Sequence, residues 1–268
     1  MTPLFQLRAV SFDYDGIPAL RGLSLEVAQG DRIALLGANG SGKSTLLRML
    51  DGLCLPTQGA ISFDGRPLTA ELLQRDDFAL PFRRRVALVF QNPDVQLFNP
   101  TVFDEVAFAP LQLGWPKAKV LQKVEQTLEL MRLSGLRDRP PFHLSGGEKK
   151  RVALASVLVL DPEVLLLDEP TATLDPRSQS QVIDLIQQWK GSSRTVISAT
   201  HQLEIVEDIA DRVFVLQDGR VEATGTPAEV LTNSDLLLRA NLVHAHRHSH
   251  NGVVHSHPHI HSHSKHEH

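Results

Sequence analysis

The sequence has little of several things that mark particular protein classes. Cys54 is its only cysteine, so no disulfide can form within the chain and a reducing compartment is expected. Lysine and arginine number 27 against 31 acidic residues, so there is no bulk positive charge to attract nucleic acid. No apolar run approaches the roughly 20 residues of a membrane-spanning helix, and the N-terminus lacks the layout of a secretory signal. We therefore expect a cytosolic protein without a nucleic-acid role, and any membrane it serves belongs to a partner.

What the sequence does contain is an alternation of short apolar strands with helices. This pattern predicts an α/β fold with a mainly parallel sheet covered on both faces. Strand-like runs in about the first 90 residues add an antiparallel β part, and Asp64-Gly65 and Asp218-Gly219 read as hairpin turns. We interpret residues 1–243 as one domain with a helical subdomain inserted at about 92–157.

One segment of this insertion has a clear helical period. Residues 117–133 carry apolar side chains that would share one face of a helix, with charged side chains opposite. The predicted face consists of Val120, Leu121, Val124, Leu128 and Met131.

A glycine-rich segment that follows an apolar strand and opens a helix fits the phosphate-binding pattern G-x-x-x-x-G-K-[ST]. Its glycines let backbone N–H groups surround phosphate oxygens, and the helix N-terminus adds partial positive charge. Lys43 would reach the terminal phosphates of a nucleotide, and Ser44 would ligate Mg²⁺. The nucleotide-binding residues predicted here are Gly37, Ala38, Asn39, Gly40, Ser41, Gly42, Lys43, Ser44 and Thr45.

Two carboxylates follow a second apolar strand, at residues 164–167. Asp168 stands where a strand-end aspartate holds Mg²⁺ in nucleotide hydrolases. Glu169 is then placed to polarise the attacking water as a general base. An Asp-Glu pair after a strand is more often only the start of a loop, but its pairing with a phosphate loop favours the catalytic interpretation.

The segment Leu144-Ser145-Gly146-Gly147-Glu148 leads into a helix and resembles the signature of ABC ATPases, in which the last position is most often glutamine. The other family motifs follow in order. Gln91 matches the Q-loop glutamine, Thr173-Leu174-Asp175 the D-loop, and His201 the switch histidine. Tyr14 occupies the place of the aromatic residue that stacks on adenine.

This resemblance implies a P-loop ATPase that binds ATP and Mg²⁺. The catalytic residues it implies are Glu169, His201, Gln91 and Lys43, and the Mg²⁺ ligands are Ser44, Gln91 and Asp168. It adds Tyr14, Ser145, Gly146, Gly147, Glu148 and Asp175 to the nucleotide-binding residues. In the family, ATP lies between the loop of one subunit and the signature of another, so a homodimer with two sites is expected.

Residues 90–98 and 147–154 resemble, more narrowly, the ATPases of energy-coupling-factor importers, and in particular their cobalt/nickel branch. The resemblance implies a peripheral subunit at the cytoplasmic face of the cell membrane. Its partners would be a transmembrane coupling subunit and a substrate-capture subunit. Gln202 departs from the pattern, because many relatives have an acidic residue after the switch histidine. An importer of another micronutrient, such as a vitamin, is the alternative.

Two rival functions are less consistent with the sequence. A soluble ABC ATPase that acts on DNA or ribosomes would have a long coiled-coil insertion or tandem cassettes, and this chain has neither. A metal-storage protein with a degenerate ATPase would not need Lys43, Asp168, Glu169 and His201 intact.

Residues 244–268 differ from the rest, because eleven of them are histidine. Nothing in this segment can build a core, so it is predicted to be a disordered tail. Histidines at i and i+2 of an extended chain project to one side, and neutral imidazole suits Ni²⁺, Co²⁺ and Zn²⁺. The interleaved residues favour a native segment over an expression tag, and a solvated tail with adventitious metal affinity remains an alternative. The candidate ligands are His244, His246, His248, His250, His255, His257, His259, His261 and His263.

Overall fold

A computed structural model describes residues 2–172, 174–250 and 253–259. The strands are β1 Phe5–Tyr14, β2 Ile17–Val27, β3 Arg32–Leu36, β4 Gln58–Phe63, β5 Arg66–Pro67, β6 Val86–Val89, β7 Val164–Asp168, β8 Thr195–Thr200, β9 Arg212–Gln217, β10 Arg220–Gly225, β11 His244–His250 and β12 Val253–His259. The α-helices are α1 Lys43–Leu50, α2 Ala70–Leu73, α3 Asp76–Arg85, α4 Val102–Gln112, α5 Lys117–Leu130, α6 Gly146–Leu158, α7 Pro176–Gln187, α8 Val206–Ile209, α9 Pro227–Leu231 and α10 Ser234–Arg239. None of the helices in these ranges is long and apolar enough to cross a membrane.

Six strands form the central sheet, in the order β10-β9-β3-β8-β7-β6. Neighbouring strands run parallel except β9 and β10, which are antiparallel. Every residue of β3, β6, β7 and β8 is buried. Strands buried on both faces are mostly apolar, which explains the short, nearly continuous apolar runs in the sequence. The predicted mainly parallel sheet is confirmed.

The central sheet separates two hydrophobic cores. Successive residues of β3 alternate between them, with Ala34 and Leu36 in one core and Ile33 and Leu35 in the other. The second core also contains the apolar side of α1 and of a four-stranded antiparallel sheet in the order β2-β1-β4-β5. Helix α1 is thereby held against the sheet with its N-terminus at the carboxyl end of β3.

Helices α4, α5 and α6 lie between β6 and β7 and pack on one another, as expected of an inserted helical part. On α5, Val120, Val124 and Leu128 are buried, and Met131, just after the helix, is also buried. Leu121 was predicted to share this face, and that prediction is wrong, because the residue is 50% exposed. One residue on from Val120 is about 100° round the helix, which turns Leu121 toward solvent.

Both predicted hairpin turns are confirmed. The dipeptide Asp64-Gly65 joins β4 to β5, and Asp218-Gly219 joins β9 to β10. All four turn residues have positive φ, between 48° and 75°. This is the backbone of the two-residue turn that Asp-Gly favours, because glycine adopts positive φ without a steric penalty.

The C-terminal segment is predicted from its composition to be a disordered tail from residue 244. The structure pairs β11 with β12 in antiparallel register, with His246 opposite His257. The alternating histidines have the two-residue period of a strand. Residues 251, 252 and 260–268, which include His261 and His263, lie outside the described residues.

Candidate active site

The loop between β3 and α1 has a backbone that requires glycine at two places. Gly42, at the N-terminus of α1, has φ 103°, and a Cβ there would lie 2.7 Å from the Ala19 carbonyl oxygen. A Cβ at Gly37 would lie 2.5 Å from the Leu216 carbonyl oxygen. The loop backbone therefore lies too close to its neighbours for any residue with a side chain, and its N–H groups and the start of α1 can surround an anion.

Lys43 is the first residue of α1 and is buried. Its Nζ donates hydrogen bonds to the carbonyl oxygens of Gly37, at 2.7 Å, and Ala38, at 3.1 Å. Burial lowers the pKa of Lys43, although the Glu169 and Asp168 carboxylates oppose this change. The lysine therefore spans its own loop and faces both carboxylates, where it can neutralise added phosphate charge.

Asp168, the last residue of β7, has the surroundings of a metal ligand. Its side chain is buried, and Oδ1 has no hydrogen-bond partner among the described residues. Burial raises the pKa of Asp168, and a hydrogen bond with the Ser44 side chain lowers it. An orphaned carboxylate oxygen beside a hydroxyl is a donor set of hard oxygens, which fits Mg²⁺.

Glu169 is buried and has an unusual backbone, with φ 45°. Its Oε1 lies 2.7 Å from His201 Nδ1, and its Oε2 accepts a hydrogen bond of 3.2 Å from Thr200 Oγ1. The positive φ is sterically unfavourable for a residue with a side chain. These two contacts and the hydrogen bond from Glu169 N to Ala199 O, at 2.9 Å, hold the carboxylate in place.

A cleft of about 440 Å³ lies over the loop and the two carboxylates. Tyr14 is partly exposed at this cleft, and its hydroxyl accepts a hydrogen bond from Arg48 Nη1 at 3.3 Å. Gln91 reaches the same cleft from the end of β6. The lining residues are Tyr14, Ile17, Pro18, Ala19, Asn39, Gly40, Gly42, Lys43, Ser44, Thr45, Gln91, Asp168 and Glu169.

Comparisons with known proteins agree with this geometry. Residues 20–172 match the family described as ABC transporter. The chain belongs to this family. It is 56% identical over 246 residues to the nickel import ATP-binding protein NikO of Rhodobacter capsulatus, a match that covers 91% of this chain and 97% of the relative. It is 43% identical over 240 residues to the energy-coupling factor transporter ATP-binding protein EcfA of Methanothermobacter thermautotrophicus. That match covers 89% of this chain and 76% of the relative.

Solved structures of the family have the same fold. A bacterial ABC transporter cassette, MJ0796, solved as a dimer, superimposes with a TM-score of 0.75 at 26% identity over 83% of this chain and 98% of that one. This ABC chain is therefore an ATP-binding and ATP-hydrolysing subunit.

The signature of this ABC subunit does not line the cleft. Ser145 and Gly146 are exposed, and Ser145 caps α6 in a reciprocal box with Glu148, whose Oε2 accepts from Ser145 N at 2.8 Å. This hydrogen bond lowers the pKa of Glu148. A Cβ on Gly147 would lie 3.4 Å from Asp175 Oδ2, so the signature and Asp175 adjoin on a second surface. Thr173 of the D-loop lies outside the described residues.

Two residues of this site are not among the predicted site residues. Thr200, the last residue of β8, donates a hydrogen bond to Glu169. In the sequence, only its position before His201 could indicate that it belongs to the site. Lys150 is buried, and its Nζ donates a hydrogen bond to the backbone carbonyl oxygen of Asp168. Burial lowers the pKa of Lys150 to about 8. Lys150 belongs to the charged run after the signature, which reads as a solvated helix start.

Proposed function

We propose that this ABC subunit powers the import of a transition-metal ion, nickel or cobalt, by hydrolysing ATP as a head-to-tail homodimer. The 56% identity to a nickel import ATP-binding protein, across nearly the whole of both chains, is the observation that carries this proposal. The identity to EcfA supports the alternative, an energy-coupling-factor importer of another micronutrient such as a vitamin, with the histidine segment as a metal buffer.

In the proposed reaction, Tyr14 stacks on adenine and the loop N–H groups and Lys43 hold the phosphates. Mg²⁺, held by Ser44, Asp168 and Gln91, would supply positive charge to the phosphate oxygens. Glu169 accepts a proton from water as the water oxygen bonds to the terminal phosphorus and the bond to the bridging oxygen of ADP breaks. The contact between His201 Nδ1 and Glu169 Oε1 supports this role, because it holds the base in one orientation.

The dimer follows from what one chain lacks. Each chain has one phosphate loop and one signature, and the signature is not among the residues that line its own cleft. A second chain would supply Ser145, Gly146, Gly147 and Glu148 to the other side of the nucleotide. The similarity to a cassette solved as a dimer supports this assembly.

We further propose that the dimer binds a transmembrane coupling subunit and a substrate-capture subunit at the cytoplasmic face of the membrane. The histidine segment would then hold transition-metal ions released there. Its nine candidate ligands include seven whose backbone lies in β11 and β12.

Uptake of radiolabelled Ni²⁺ and Co²⁺ tests this function. The chain would be reconstituted in vesicles together with the two membrane subunits of its host, with ATP on the side of the ATPase. We expect ATP-dependent uptake of one or both ions, and none when Lys43→Ala replaces the wild-type chain. Uptake of a vitamin and of neither ion would favour the alternative. ATP hydrolysis without uptake of any of these substrates would contradict both.

A further inference from the structure

Lys150 is a buried cation that the reaction described above does not use. It lies on the second turn of α6 and is only 2% exposed. Its Nζ donates hydrogen bonds to the carbonyl oxygens of Phe90, at 2.9 Å, Asp168, at 3.2 Å, and Gln91, at 3.4 Å. An ammonium group has three protons to donate, so all three carbonyls can be satisfied at once.

These three carbonyls belong to parts of the chain with different roles. Asp168 ends β7 and precedes Glu169, whereas Phe90 and Gln91 follow β6 and lead into the Q-loop. Lys150 itself is five residues after Ser145, on the helix that begins with the signature. One side chain therefore joins the signature helix, the Q-loop and the strand that carries both carboxylates.

Other contacts join α6 to the Q-loop but stop short of β7. Lys149 Nζ bonds Asp94 Oδ1 at 2.7 Å, and Gln96 Nε2 bonds the Ala153 carbonyl oxygen at 3.0 Å. Of these three side chains, Lys150 is the one that also reaches the end of β7. A buried charge is tolerated only when it is well paired. The three carbonyl oxygens must therefore stay close to the Lys150 ammonium group, which ties the local geometry to this residue.

We propose that Lys150 is a positioning residue that holds the Q-loop and the Asp168–Glu169 carboxylates in register with the signature helix. It acts through backbone carbonyls and does not touch the nucleotide, so it governs the rate of the hydrolytic step more than ATP affinity. The inference rests on the proposed roles of Asp168 and Glu169.

The test compares steady-state ATP hydrolysis by wild type, Lys150→Met and Lys150→Gln. Methionine has a similar length but no donor, so we expect kcat to fall about tenfold or more with KM within about threefold. Glutamine donates two hydrogen bonds from its amide, so its kcat should be intermediate. Lys149→Met is the matched control, because it removes the adjacent cation, a more exposed one, and should stay near wild type.

A binding measurement gives a second readout that is independent of turnover. Titration with a fluorescent ATP analogue, with and without Mg²⁺, should give a Kd in Lys150→Met close to wild type without Mg²⁺. With Mg²⁺ the Kd should rise by no more than about threefold, in line with the KM, because the lost hydrogen bond is to the Asp168 backbone and not to the nucleotide. Glu169→Gln separates the positioning role of Lys150 from the proposed reaction itself. If this variant loses turnover, the role of Glu169 as general base stands, whatever the result for the Lys150 variants.

Each outcome is decisive. Wild-type kcat in Lys150→Met, or equal losses in Lys150→Gln and Lys150→Met, would overturn the positioning role. If Lys150→Met does not fold, an intermediate kcat with unchanged KM in Lys150→Gln supports the role, and wild-type kcat there contradicts it. If neither variant folds, Lys150 serves stability alone and the proposal fails.

Discussion

At the scale of single residues, the proposed reaction assigns the general base to Glu169. Its carboxylate is buried, contacts His201 Nδ1 at 2.7 Å and accepts from Thr200. Replacing it with glutamine keeps the shape and removes the proton acceptor. We expect Glu169→Gln to bind Mg-ATP with near-normal affinity while kcat falls by about a hundredfold or more.

This expectation is checked by pairing analogue binding with a phosphate-release assay. Glu163→Gln is a matched control. Glu163 lies just before β7, at the opposite end of that strand from Glu169, and its Oε2 accepts a hydrogen bond from Arg85 Nε. The control should turn over normally. Near-normal turnover in Glu169→Gln would remove Glu169 as the general base.

We expect Asp51, which follows the C-terminus of α1, to make stability depend on pH. Burial raises its pKa to about 8 from an ordinary value of 3.8, although Arg83 opposes this. The folded state therefore binds the proton more tightly than the unfolded state. The stabilisation is complete below pH 3.8 and is lost as pH rises toward 8.

Asp51→Asn removes this pH dependence. Between pH 5.5 and pH 7 the variant should gain about 2 kcal/mol in free energy of unfolding relative to wild type. Urea denaturation at both pH values measures the difference, with the exposed Asp15→Asn as a control that should follow wild type. Wild-type and Asp51→Asn stabilities that change in parallel with pH would contradict the assignment.

At the scale of elements, we expect the segment of β11 and β12 to be separable from the ATPase. Its register places His244 opposite His259, His246 opposite His257 and His248 opposite His255. Truncation after Val243 removes eleven histidines but no residue of the cleft. We expect nearly complete loss of Ni²⁺ binding by calorimetry and unchanged basal ATP hydrolysis.

The pH dependence of this binding follows from imidazole chemistry. A histidine must be unprotonated to ligate, and its ordinary pKa is about 6.5, so Ni²⁺ affinity should collapse between about pH 7.5 and 5.5. Equal Ni²⁺ stoichiometry in full-length and truncated chains would exclude this segment as a metal site. Loss of ATP hydrolysis on truncation would show that the two parts are coupled.

The elements that sequence could predict are those whose geometry is set locally. The phosphate loop needs glycine where a Cβ would collide, and both Asp-Gly hairpins need positive φ, so these positions are readable in the sequence. Lys150 was not predictable as a buried residue, because its partners are carbonyls 18 to 60 positions away.

At the scale of the whole molecule, the proposed head-to-tail dimer places two chains at each active site. Ser145 lies outside the cleft that contains Lys43, although both are attributed to nucleotide binding. Ser145→Arg should therefore leave ATP binding by one subunit nearly intact and block hydrolysis by preventing dimer closure. Lys43→Ala should instead weaken the grip on the phosphates within the cleft.

Mixing these two inactive chains tests the shared site most directly. In a mixed dimer, one site combines both defects and the other combines the intact Lys43 of one chain with the intact Ser145 of its partner. With random exchange we expect ATP hydrolysis to reappear at no more than about a quarter of the wild-type rate, since half the dimers are mixed and each has at most one complete site. Each variant alone should stay inactive. Normal hydrolysis by Ser145→Arg alone, or recovery well above a quarter of the wild-type rate in the mixture, would contradict the head-to-tail account.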